Sequence, residues 1–471
     1  MTYCNWFRKL VNILTEILFV FAIVVTIYVF TVPFEGTLRT ILFIVCLIAF
    51  CILAYLLKGK IRLFIKNIIN KLKKVDSKKL LLIIILTMVV IKVIYSIFFS
   101  FDATQDGDIE IYNDLANQIV ATKSIDTNAI SHLLGVAIHL ALFKVINLPV
   151  HIGMFIVLLI GTIINYFSFK DIIGKEKTFI GIMLYILMPS TMFLTFCPTH
   201  EVFLYMYISL IIFILNKLIK ETKVVNIAIY SLLIVIFSVL SCLINPSGYI
   251  ALIIMGLVVV LSILDIRKRI IILVVLLLSL FGNKTLSNSM NVNEHVTTMN
   301  TYTILIHGSN IDSLGEQVDG YPLRQIRNYL ANNTYDYSDK GFEEGAKAVL
   351  LNQYKELLTH PIKLVELIAH KVYILWSGNH YSIEMANNAE ALNSVLYYIF
   401  LSISALIYLF TLTIGMLLNK KKEDNLLISN YKLVLLGCFG ITLLSVVLNK
   451  YTLYVTLFIY LISFYKIDID D

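Results

Sequence analysis

The stretch Lys58–Lys79, KGKIRLFIKNIINKLKKVDSKK, runs straight into Leu80–Ser100, LLLIIILTMVVIKVIYSIFFS. The first segment carries nine Lys and Arg against one Asp. The second is apolar over a length that spans the roughly 30 Å hydrocarbon core of a bilayer as a helix. A segment so rich in Lys and Arg stays on the cytoplasmic side of a membrane, so it fixes the direction of the chain on either side. Working outward, apolar runs recur at approximately 11–33, 40–57, 150–169, 178–198, 201–217, 224–244, 249–264, 270–283, 393–418, 431–449 and 451–465, with a shorter one at 131–147. The chain is 59% hydrophobic and 15% charged, with a mean hydropathy of +0.84; soluble domains average about 25% charged. The expected fold class is an all-α polytopic membrane protein with about 12–13 membrane-embedded helices. The net charge of +7 is no sign of nucleic-acid binding, because the basic residues sit beside apolar runs, where they set orientation.

From the basic segment the topology is counted both ways. Arg8 and Lys9 place the N terminus inside, and the run 80–100 leads out, so the acidic stretch after it is external. KLIKETK (217–223), DIRKR (265–269) and NKKKEDN (419–425) fall inside, as does the C terminus, which gives a multi-pass plasma-membrane protein with both termini cytoplasmic. KDIIGKEK (170–177) also reads as cytoplasmic. The count then closes in one of two ways: 131–147 is re-entrant or interfacial rather than a full span, or one basic loop breaks the charge rule.

Four parts are expected: residues 1–79, a two-span extension with the basic segment; 80–283, a membrane module with an external Asp loop at 101–130; 284–392, an external helical region; and 393–471, the C-terminal membrane helices. Ile61, Ile65, Ile68 and Leu72 share one helical face, so 58–79 is expected to lie on an anionic leaflet. The external region holds 8 Lys and Arg against 12 Asp and Glu, with no positive excess. Helical spacing over 341–376 is expected to break at His360–Pro361. INPSGY (244–249) marks a turn, and Trp376, Tyr373 and Tyr381 suit an interfacial aromatic belt. The six cysteines form no CxxC pair and read as small buried hydrophobes, so neither a disulfide framework nor a metal site is expected. Almost no charge falls mid-span, and no internal repeat stands out.

The acidic stretch FDATQDGDIEIYNDLA (101–116) concentrates Asp102, Asp106, Asp108, Glu110 and Asp114 just past a span. Capping of a helix that begins near Asp108 accounts for part of this. Other elements point further: THEVFLYMYISL (199–210), ILIHGSNIDSLGEQ (304–317), GAKAVLLNQYKELLTHPIKLVELIAHKVYILW (345–376) and NKYTLYV (449–455). With the D-x-x-x-Y-x-x-x-A of DIEIYNDLA, their order over residues 80–465 resembles the GT-C integral membrane glycosyltransferases, in the protein-mannosyltransferase and aminoarabinose-transferase-like branch. The chain departs from that pattern in having two extra leading spans, Lys450 where Arg is usual, and NAISHLLG (128–135) in place of a Pro-rich helix start.

The resemblance implies transfer of a sugar from a polyprenyl-phosphate donor to an envelope glycan, lipid or protein, with inversion, on the external face. The donor already lies in the membrane, so no dinucleotide fold is required and no G-x-G-x-x-G is present. It implies Asp108, then Asp106, as a general base. It also implies Glu201, Arg324, Arg327, Lys450, Tyr451 and His132 as substrate-binding residues, the cations facing a phosphate whose charge grows as it leaves. No cofactor is implied. Membrane lipids are the expected surroundings, and nucleic acid is not an expected partner. The rival readings are a polysaccharide polymerase or ligase, a transporter or flippase, and a non-enzymatic scaffold. Ile-, Lys- and Asn-rich usage suggests an AT-rich bacterial genome.

Overall fold

The computed structural model describes residues 2–29, 36–99, 108–123, 131–289, 294–315, 318, 320–333, 336–377, 393–418, 424–444, 455–465 and 467. Among the described residues the chain is helical throughout: α1 Asn5–Val29, α2 Gly36–Lys73, α3 Ser77–Phe98, α4 Asp108–Thr122, α5 Ser131–Val145, α6 Val150–Ile173, α7 Lys175–Leu187, α8 Pro189–Phe193, α9 His200–Lys220, α10 Val224–Ile244, α11 Tyr249–Leu261, α12 Ile266–Ser289, α13 Glu294–Gly308, α14 Tyr321–Asn333, α15 Asp339–Thr359, α16 Pro361–Ser377, α17 Ser394–Leu417, α18 Leu426–Leu444 and α19 Thr456–Tyr465. Eight of these are long and apolar enough to cross a membrane, and four shorter apolar helices accompany them. The chain is an all-α polytopic membrane protein. Local signals set the helix ends. Asp76 caps α3 by accepting from Lys78 N at 3.2 Å, and Asn393 caps α17 by accepting from Leu396 N at 2.9 Å.

Contacts distant in sequence gather the basic segments at one end of the bundle. Lys175 Nζ donates to Val75 O at 2.7 Å, and Lys268 Nζ donates to Leu218 O at 3.1 Å. The N-terminal arm bridges to the same end, with Ile263 N donating to Thr2 O at 2.9 Å and Tyr3 hydroxyl to Asn430 Oδ1 at 2.7 Å. Lys177 reaches Ile467 O near the other terminus.

Helix α5 stays at the opposite end. Its first turns lie against the last residues of α10, where a Cβ on Gly135 would fall 2.5 Å from Ile244 N. Near its other end Phe143 meets Gly153 in α6 and stacks on Phe203 in α9, each within the first turn or so of its helix. Both ends of α5 are therefore level with the helix ends farthest from the basic segments. At 15 residues it is also short for a span. The two ways of closing the count reduce to one, in which α5 does not cross and every basic loop keeps to its own end.

Two expectations are corrected. The basic segment is not a separate helix lying on a leaflet. It continues the second span as one 38-residue helix, α2, about 57 Å long at 1.5 Å per residue. Its apolar face turns inward, with Ile65 and Ile69 buried in the main core and Ile61 and Leu72 packed against it. The run 178–198 is not one helix either. Met188 takes an extended conformation (φ −72°, ψ 117°), as a residue before proline is pressed to do, and α7 ends there.

The 294–377 region builds a small core of its own from Ile306, Ile326, Leu330, Ala346, Val349 and Leu350. As expected, α15 and α16 meet at His360 (φ −122°, ψ 74°), with Pro361 opening the second helix. Helix α16 packs on α1 and α18, so this region is seated on the bundle. Pro246–Gly248 forms a single 3-10 turn within INPSGY. Trp376 and Tyr381 lie outside the described side chains.

Candidate functional site

Between the two prolines Pro189 and Pro198 the backbone leaves regular helix: α8 is five residues long, and turns follow it to the start of α9 at His200. Every residue from Pro189 to Glu201 is buried. Irregular backbone at membrane depth is tolerated only where protein or a water-filled cavity covers it, so such a segment marks a place where helices make room for chemistry.

Lys92 of α3 reaches this segment from six residues before the helix end, roughly 9 Å along the axis. It is 3% exposed. Its Nζ donates to Thr195 Oγ1 at 2.8 Å and to Thr195 O at 3.4 Å, and lies 3.2 Å from the centroid of the Phe196 ring. His151 of α6 stacks on Phe196, 6.3 Å between centroids and 9° between planes. At the start of α9, Glu201 is 1% exposed, with Oε1 3.0 Å from His200 Nε2. The N-terminal dipole of α9 favours a carboxylate there. Six residues past Glu201 on α9 stands Tyr207; His139 Nδ1 donates to Gly135 O at 2.6 Å, so the neutral ring's Nε2 accepts from Tyr207 hydroxyl, also at 2.6 Å. Ammonium, imidazoles and carboxylate thus line the bundle end opposite the basic loops. Intramembrane ionisable groups are expensive and by default mark function.

Lys92 is not among the residues expected from the sequence, where almost no charge stands mid-span. The signal was there: Lys92 is the lone charged residue in the run 80–100. Of the expected residues, Glu201 is buried beside His200 at the start of α9, five residues past Phe196. Asp108 is the first residue of α4, which packs along α5 and buries Ile109, Tyr112 and Ala116, while Glu110 and Asp114 are exposed. The Asp108 side chain, the His132 side chain in the first turn of α5, and all of Asp106, Lys450 and Tyr451 lie outside what is described. Arg324 and Arg327 are exposed on α14, on the face away from buried Ile326 and Leu330.

The 308–315 element is a built turn. Asn310 Oδ1 accepts from Asp312 N at 3.1 Å, Gly315 N donates to Asn310 O at 2.9 Å, and Gly315 has φ +83°. That left-handed φ favours glycine, and a Cβ there would also fall 2.5 Å from Lys371 Cε. Lys371 on α16 is 1% exposed, and burial pulls its ammonium pKa down to about 7. No cluster of three or more His, Cys, Asp or Glu suited to a metal occurs among the described residues. No protein-family model, no curated protein and no solved structure matches the chain.

Proposed function

We propose that the chain is a membrane glycosyltransferase that moves a sugar from a polyprenyl-phosphate donor to a cell-envelope acceptor, with the basic loops cytoplasmic and the reaction at the opposite, external end. The observation that carries this reading is the buried Lys92, held by a hydroxyl and an aromatic ring in an irregular segment at that end. An ammonium at that depth suits an anionic group of a substrate that is itself a lipid. Asp108, or Asp106 behind it, takes the proton of the acceptor hydroxyl. The acceptor oxygen bonds to the anomeric carbon as the bond from that carbon to the phosphate oxygen breaks, and the electron pair leaves with the polyprenyl phosphate. Inversion follows from the single displacement. Glu201 and His200 orient hydroxyls of the sugar.

The test is transfer from a radiolabelled polyprenyl-phosphate sugar in membranes holding the wild type, Asp108→Asn and Lys92→Met at matched protein levels. Loss in both variants supports the reading; wild-type rates in both remove its chemistry.

A transporter is the second reading, because a buried charge beside a broken helix is also what alternating-access carriers show. Under it, Lys92→Met abolishes substrate flux into proteoliposomes, and no transfer product forms with any variant.

A further inference from the structure

A recess with a cation in an otherwise largely apolar lining lies at the same end of the bundle, and it shares no residue with the surroundings of Lys92. The N-terminal helices α1 and α2 and the seated helix α16 line an open recess of about 500 Å³. Tyr28, Arg39, Phe43, His370 and Tyr373 line it, with Val24 on its apolar side. Tyr28 is the keystone: its ring meets Phe43 edge-on at 5.3 Å and Tyr373 edge-on at 5.4 Å, and the Arg39 guanidinium carbon stands 4.3 Å over its face. The ring holds the guanidinium plane in one orientation. Arg39 Nε is enclosed and donates to no acceptor among the described residues. The pocket lining holds no carboxylate, and His370 stands beside Tyr373, 6.2 Å between rings.

A guanidinium that is pre-oriented, enclosed at Nε and without a counter-ion among the described residues suits an oxyanion that accepts two parallel hydrogen bonds. Arg39 is in the first turn or so of α2, so the helix dipole adds to the attraction. The site is at the end of a bilayer-spanning helix, where lipid headgroups lie, and Val24 and Phe43 continue it along the lipid-facing helices. We propose that this pocket binds the phosphate headgroup of an anionic membrane lipid, with Arg39 as its main contact and His370 and Tyr373 as further donors, and that the lipid ties α1 and α2 to the 294–377 region. The proposal stands whether or not the chain transfers sugars.

The experiment uses the full chain purified in a mild non-ionic detergent and titrated with fluorescent phosphatidylglycerol. Phosphatidylcholine and inorganic phosphate serve as competitors, and native mass spectrometry counts the retained lipid. Phosphatidylglycerol is expected to bind, with Arg39→Gln weakening it at least tenfold and His370→Gln several-fold, while Lys347→Gln, exposed on α15, leaves it unchanged. Arg39→Lys keeps the charge but loses the fork, and is expected to fall between wild type and Arg39→Gln; it also decides the matter should Arg39→Gln fail to fold. Equal binding by wild type, Arg39→Lys and His370→Gln overturns the proposal. Competition by inorganic phosphate as effective as by unlabelled phosphatidylglycerol overturns the lipid as the source. Equal affinity for phosphatidylcholine overturns recognition of an anionic headgroup.

Discussion

Lys92 and Lys432 are both buried lysines in the membrane bundle, and their surroundings differ in kind. Lys432, near the basic end of α18, pairs with Asp424 and donates to Asn12 Oδ1 of α1 at 2.7 Å. Its charge is met within the protein, and it pins three segments of chain together. Lys92, toward the opposite end, has a hydroxyl, a carbonyl and a ring as partners and no carboxylate among the described residues. A cation with a built-in counter-ion is architecture; a cation given only neutral partners at membrane depth is available to an anion that arrives from outside.

The comparison is tested most severely by removing each charge. Lys432→Met leaves Asp424 buried and unpaired, and is expected to cost about 3–5 kcal/mol, read as a sharp fall in thermal stability and in yield of folded protein. Lys92→Met leaves no orphaned carboxylate. Folding is expected to stay near normal while transfer falls roughly tenfold or more. If both variants unfold alike, the distinction between the two lysines is lost.

Asp108→Asn sharpens the functional side. Asparagine keeps the size and can still cap α4, so stability is expected to hold. It cannot serve as a base at neutral pH, and transfer should drop by roughly 100-fold or more. Asp106→Asn should lose less, measured in the same assay.

Smaller effects separate packing from chemistry. Gly135→Ala would press a methyl group into the backbone of α10 and is expected to destabilise by about 1–3 kcal/mol. Gly59, on an exposed stretch of α2, has no atom within 4 Å of its would-be Cβ. Gly59→Ala should therefore stabilise by roughly 0.5–1 kcal/mol through helix propensity. Thermal melts in one detergent read both. Arg324→Ala, on the exposed side of α14, should move stability by no more than about 0.5 kcal/mol and leave transfer unchanged. A large loss of transfer would return that arginine to the site.

The sequence alone determined the class of protein, most of the helical spans and the gathering of positive charge beside them, because hydropathy over some twenty residues is a local property that a bilayer reads directly. It also determined the break at His360–Pro361, where proline's missing N–H and fixed ring act on their immediate neighbours. Periodicity placed Ile65 and Leu72 on one apolar face but left open what the face would meet, and the core rather than a leaflet met it. Only the tertiary structure decided that α5 does not cross, since its hydropathy suits a span and it is the contacts of Gly135 and Phe143 with distant helices that hold both its ends level. Likewise Lys92 was legible as an anomaly in an apolar run, but its partners Thr195, Phe196 and, beyond them, His151 come from residues far along the chain. Arg39 carried no signal at all, because the tyrosine that orients it and the histidine beside the pocket come from α1 and α16, brought together only by packing.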